Sequence, residues 1–169
     1  YIDIQLNFSY KIYMSLKYNK VSLGSIEEFN SFCNSNPDVK YIDAILTDVS
    51  GIIRGKRLPI KDAEKLFKSG IQFCYSTFLL DPTGYCPDAA GRGFSDGDPD
   101  ATYYPVSGTL TKMPWHKDKL GQVLITIQDE SRYSSIIDPR NVLAKVLERF
   151  DDLHLTFKVA FELEFFLFR

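Results

Sequence analysis

The sequence predicts an α+β fold, a mixed sheet with helices packed on one face. Three features carry that prediction. Short amphipathic segments with clear start signals lie between β-prone runs. Two of those runs are joined by a tight polar turn. A later run sets Val123, Ile125 and Ile127 in alternation against Leu124, Thr126 and Gln128, the period-2 pattern of a strand.

Residues 1–23 read as an N-terminal extension, of which residues 1–13, preceding the first methionine Met14, are left out of the fold. "SIEEFNSFCNSNP" then opens with Ser25 as N-cap and Glu28 three residues on, a capping-box spacing. Ile26, Phe29, Phe32 and Cys33 recur at helical intervals before Pro37, so this is a short amphipathic helix. "KYIDAILTDVSGIIRGKRLPI" gives two β-rich runs around Asp48, Ser50 and Gly51, which are turn formers, and reads as a hairpin. In "KDAEKLFKSG", Ala63, Leu66 and Phe67 share one helical face and Gly70 is the stop signal.

"IQFCYSTFLL" is a further β-prone run. The following "DPTGYCPDAAGRGFSDGDPDATYYP" is rich in Gly, Pro and Asp and reads as one long loop, a length that in compact domains goes with function or disorder. Short strands are expected in "GTLTKMPW" and "QVLITIQD", where Val123, Ile125 and Ile127 alternate with Leu124, Thr126 and Gln128. This order suits a β-grasp over residues 24–137. "IIDPRNVLAKVLERF" starts a helix with Asp138 as N-cap and Pro139 at the first helical position. Val142, Leu143, Val146, Leu147 and Phe150 form its apolar stripe. A strand is expected from His154 onward, so residues 138–169 read as the first helix and strand of an incomplete second domain.

Composition excludes several function classes. The net charge is -2 and the basic residues are scattered apart from "RGKR" at Arg54 to Arg57, which argues against nucleic acid and anionic membranes. No apolar run approaches the roughly 20 residues that span a bilayer. Cys33, Cys74 and Cys86 form no C-x-x-C pair and are expected to be free, mostly buried thiols in a reducing, cytoplasmic setting.

The acidic candidates stand out against this background. In an extended strand Glu162 and Glu164 share a face with Cα atoms about 7 Å apart, which lets them bind neighbouring hard cations. A solvent-facing strip is the ordinary alternative, although Phe166 and Phe168 continue the same face and suggest a cleft. In the loop, Asp96, Asp98 and Asp100 have the opening spacing of a calcium loop, but Ala101 and Ser107 stand where Gly and Glu are needed. Gly91, Gly93 and Gly97 do not make a dinucleotide fingerprint. "RGKR" reads either as an anion or subunit contact or as an exposed strand with snorkelling side chains. No Ser-His-Asp, Cys-His or phosphate-cradling arrangement is present.

Four segments taken in order, "YIDAILTDVSGIIRGKR", "GDPDATYYPVSGTLTKMPW", "DPRNVLAKVLERF" and "FELEFFLF", resemble the N-terminal part of glutamine synthetases. The likeness is closest to the branch that includes γ-glutamyl-polyamine synthetases and runs from Lys40 to Arg169. The resemblance implies a β-grasp domain followed by a catalytic domain. It also implies an ATP-dependent joining of ammonia or an amine to the γ-carboxylate of glutamate through γ-glutamyl phosphate, with two Mg2+ or Mn2+ ions. Glu162 and Glu164 match the first metal ligands of the family, one for each cation. Family members are homo-oligomeric rings in which the β-grasp domain lends an acid to the neighbouring subunit's active site. Asp81, Asp98 and Asp100 are the candidates, with Asp100 best placed relative to Pro105.

Two departures matter. Asp152 and Leu153 stand after the last helix where the family has a glycine. The remaining metal ligands, the nucleotide- and glutamate-binding segments and the phosphate-holding arginines lie outside these residues, so this chain alone is expected to be inactive. A free-standing β-grasp binding module without catalysis is the alternative.

Overall fold

The computed structural model describes residues 21–88, 91, 93–116, 119–127, 137–156, 158–159 and 166. Helix α1 (Ile26–Ser35) begins where the sequence places it, with the Ser25 hydroxyl accepting the Glu28 N–H at 3.2 Å. The other half of the capping box takes a different partner. The Glu28 carboxylate accepts the Gly108 N–H at 3.0 Å and the Ser107 hydroxyl at 3.3 Å, tying the helix start to a turn some eighty residues away.

Strands β1 (Tyr41–Thr47) and β2 (Ile53–Pro59) form the expected antiparallel hairpin, and Gly51 takes the left-handed conformation its turn requires, with φ 79°. Helix α2 (Ile60–Ser69) buries Ala63, Leu66 and Phe67 as its spacing predicts. Gly70 ends it at φ 75°, and a Cβ there would lie 2.7 Å from the Tyr103 carbonyl oxygen, so no larger residue closes this turn without displacing backbone.

The "IQFCYSTFLL" run divides. Strand β3 (Ile71–Cys74) is only its first part, and a 3-10 helix (Tyr75–Leu79) follows. The Tyr75 N–H bonds the Pro99 carbonyl and the Ser76 N–H bonds the Asp98 carboxylate, which turns the chain off the sheet. Tyr75, Ser76 and Phe78 are then buried together, a pattern no alternating strand allows. The long loop is also shorter than its composition suggests, because Asp100–Pro105 is strand β4, with Ala101, Tyr103 and Pro105 turned into the core.

Strand β5 (Thr111–Lys112) and strand β6 (Leu120–Ile127) complete the sheet. Among the described residues its order is β2-β1-β6-β4-β3, with β5 alongside β6. The central pair β1 and β6 is parallel and the other pairs are antiparallel, which is the mixed sheet expected, in a β-grasp arrangement with α2 packed across it. Ile42, Ala44 and Leu46 meet Val123, Ile125 and Ile127 in a core closed by Phe29, Leu66 and Tyr103. The sheet curls until its edges nearly meet. The Lys56 ammonium of β2 donates to the Gln72 carbonyl of β3 at 2.9 Å and lies 4.4 Å over the Phe73 ring.

Helix α3 (Pro139–Asp152) starts on Asp138, whose carboxylate accepts the Arg140 N–H at 2.8 Å. Its apolar stripe is largely uncovered. Leu147 is buried, but Val142, Leu143 and Val146 are exposed. The left-handed residue after the helix is His154 at φ 54°, so the glycine-favouring position falls one residue beyond Asp152-Leu153. The expected strand does not begin at His154, since residues 154–156, 158 and 159 are not in a strand; residues 157, 160–165 and 167–169, and with them Glu162, Glu164 and the rest of that segment, lie outside the described residues. Phe166 is 88% exposed.

Candidate functional site

The acids singled out in the loop sit at its two ends, each held by local chemistry. Asp81 follows the 3-10 helix and folds its own turn. Its Oδ1 accepts the Thr83 N–H at 2.8 Å, the Thr83 hydroxyl at 2.7 Å and the Tyr85 N–H at 3.0 Å. These donors, the Thr83 hydroxyl foremost, hold its carboxyl below the ordinary range. Asp88 and Asp96 act in the same way further along. Asp88 accepts the N–H and hydroxyl of Ser95, and Asp96 accepts the N–H groups of Gly93 and Asp98. Sequence spacing does not distinguish such turn-forming acids from ligand-facing ones.

Asp98 and Asp100 come together at the other end, beside the corner where β3 becomes the 3-10 helix. Asp98 Oδ1 accepts the Ser76 N–H at 3.3 Å, with Asp98 itself at φ 45°. Asp100 pairs in register with Cys74 across the β3–β4 ladder and accepts its thiol at 3.4 Å. Asp100 is exposed at the start of its strand, which leaves it accessible. The Cys74 thiol is pushed up to about 11 by burial first and then by the two carboxylates, so it is a protonated donor and not a nucleophile. All three cysteines are half-buried thiols, less enclosed than the sequence implies.

The "RGKR" segment engages its charges within the chain. Arg54 Nε donates to Asp48 Oδ2 at 2.9 Å, and Arg57 forks onto both oxygens of Asp43 at 2.8 and 3.0 Å. Lys56 closes the sheet as described above. Asp48 is the residue whose importance the sequence understates. It is 2% exposed and also accepts the Ser50 and Ile52 N–H groups. Burial raises its carboxyl, but the Arg54 guanidinium and the two amides outweigh that and hold it below the ordinary range.

A groove of about 260 Å³ lies between the sheet and the start of α3, lined by Leu46, Phe78, Leu124, Arg140 and Leu143. Asp138 also borders it, with its two oxygens engaged by the Thr126 hydroxyl at 2.5 Å and the Arg140 N–H. Among the described residues no three His, Cys, Asp or Glu side chains converge as a metal site. No helix among those residues is long and apolar enough to cross a membrane.

Residues 136–169 match the family model of the glutamine synthetase catalytic domain. The γ-glutamylputrescine synthetase PuuA of Escherichia coli is 38% identical over 141 residues, covering 83% of this chain and 30% of the relative. A glutamine synthetase of Pyrococcus horikoshii is 29% identical over 132 residues, covering 78% and 26%. Among solved structures, a GmaS complex with ADP superposes with a TM-score of 0.55 at 22% identity, over 74% of this chain and 26% of that one. Plasmodium falciparum glutamine synthetase gives 0.54 at 19% identity, over 80% and 24%. The chain thus spans less than a third of the length of the curated relatives it matches. In sequence the chain is similar, over most of its own length, to glutamine synthetase-type ligases, and its α+β fold matches theirs.

Proposed function

We propose that the chain is the N-terminal portion of an ATP-dependent ligase that joins ammonia or an amine to the γ-carboxylate of glutamate through γ-glutamyl phosphate. Residues 24–137 form its β-grasp domain and residues 138–169 begin its catalytic domain. The observation that carries this reading is the 38% identity to a γ-glutamylputrescine synthetase over 141 residues. The match of residues 136–169 to the catalytic-domain family supports the division.

In this reading Glu162 and Glu164 are the first ligands of two Mg2+ or Mn2+ ions, since carboxylates suit hard cations. Bound cations would neutralise the charges gathered when a phosphoryl group is transferred to a carboxylate. Asp100 serves the active site of a neighbouring subunit in a cytoplasmic homo-oligomer, and its exposure at the strand end supports that role. The 169-residue chain alone is inactive.

Two preparations test this. The chain alone should form no γ-glutamyl hydroxamate from glutamate, ATP, Mg2+ and hydroxylamine. A chimera in which the matching segment of the Escherichia coli relative is replaced by this chain should form it. Activity of the chain alone would contradict the inactivity, and a chimera that assembles like its parent yet stays inactive would favour a binding module.

A further inference from the structure

We propose that Arg54 is a positioning residue that clasps the acid-bearing loop to the tip of the β1–β2 hairpin. Its orientation is set first by Asp48, whose carboxylate is fixed by the Ser50 and Ile52 N–H groups at 2.9 and 2.8 Å. With Nε committed to Asp48, Nη2 points across 27 residues of sequence and donates to the Asp81 carbonyl at 2.7 Å.

That one carbonyl controls a turn. It also accepts the Gly84 N–H at 2.9 Å, while the side chain of the same residue gathers Thr83 and Tyr85. Gly84, at φ 87°, presents its bare Cα toward the guanidinium, and a Cβ there would lie 3.5 Å from Nη1. The Val49 N–H bonds the Phe78 carbonyl at 3.0 Å, a second tie between the hairpin tip and the segment that leads into the loop.

The far end of the loop is held differently. Tyr75 bonds the Pro99 carbonyl and β4 begins at Asp100, so backbone pairing secures it. Among the described residues, it is at the Asp81 end that a long side chain, Arg54, reaches in from another element. A guanidinium bridges two acceptors from two nitrogens held in fixed directions, whereas lysine offers a single nitrogen on a flexible stem and no such fork. Arg54 therefore sets where the loop departs from the fold, and with it the platform from which Asp81 projects. Its functional weight rests on reading the loop acids as part of a neighbour's active site; the clasp itself does not.

Amide exchange with water, read by NMR on the 169-residue chain, tests this without catalysis. Arg54→Lys keeps a positive partner for Asp48 but gives up the bridge. The Thr83, Gly84 and Tyr85 amides should then exchange faster by about tenfold or more, the scale of a lost hydrogen bond to a charged group. The Ala44 and Val123 amides in the core should change by less than threefold. Arg54→Met should show the same loop effect. Unchanged loop exchange in Arg54→Lys would overturn the proposal. An equal rise in core and loop exchange in either variant would overturn it too, because Arg54 would then be a general structural residue. A failed clasp leaves the ligase reading intact, and a failed hydroxamate test leaves the clasp intact.

Discussion

Replacing Asp138 by alanine tests how α3 is fastened to the sheet. Asp138 is 3% exposed and Thr126 is fully buried, with the Thr126 hydroxyl donating to Asp138 at 2.5 Å. The substitution removes an N-cap, worth about 1 kcal/mol. It also strands the buried Thr126 hydroxyl, at about 1–3 kcal/mol. The expected loss is about 2–4 kcal/mol by urea unfolding at neutral pH, the sum of those two effects. Thr126→Val in the same background removes the stranded hydroxyl, so the double variant should be more stable than the sum of the two single losses predicts, by about 1–3 kcal/mol. A loss below about 0.5 kcal/mol for Asp138→Ala, a typical surface effect, would refute the reasoning. Strict additivity in the cycle would show that the two residues do not act as a pair.

Two further predictions concern single side chains. The Asp48 carboxyl is lowered on folding, so its contribution is present above the unfolded value of about 4 and is lost as pH falls through the lower folded value. Asp48→Asn should therefore be less stable than the parent at pH 7 and converge on it below about pH 4, measured by thermal melts across pH; a pH-independent gap would contradict the ion pair. His154→Gly should raise stability by about 0.5–1 kcal/mol, because a side chain at φ 54° is strained and glycine is not; a loss in urea unfolding would show that the His154 side chain itself contributes.

What the sequence makes legible is local chemistry. The Ser25 and Asp138 caps, the Gly70 stop, the buried face of α2 and the inward turn of Val123, Ile125 and Ile127 all depend on neighbours within a few residues and appear as read, although Thr126 on the opposite set is buried as well. The features that escape it depend on distant partners. Strand β4 is hidden by the Gly-, Pro- and Asp-rich run before it, although Ala101, Tyr103 and Pro105 already alternate. Glu28 leaves its capping box for Gly108 because tertiary folding brings that amide within reach. The site follows the same rule. Asp48 announces a turn but not the Arg54 pair it buries, and the loop acids look alike in sequence while Asp81 is occupied by its own turn and Asp100 stands exposed beside Cys74.

The most direct measurement of the central claim is the hydroxamate rate of the chimera with and without Asp100→Asn. If Asp100 completes a neighbouring subunit's active site, the variant should assemble as the parent does and lose activity by about 10²-fold or more, the scale of removing one preorganised electrostatic contact. A variant that assembles normally and keeps the parent's rate would contradict the account.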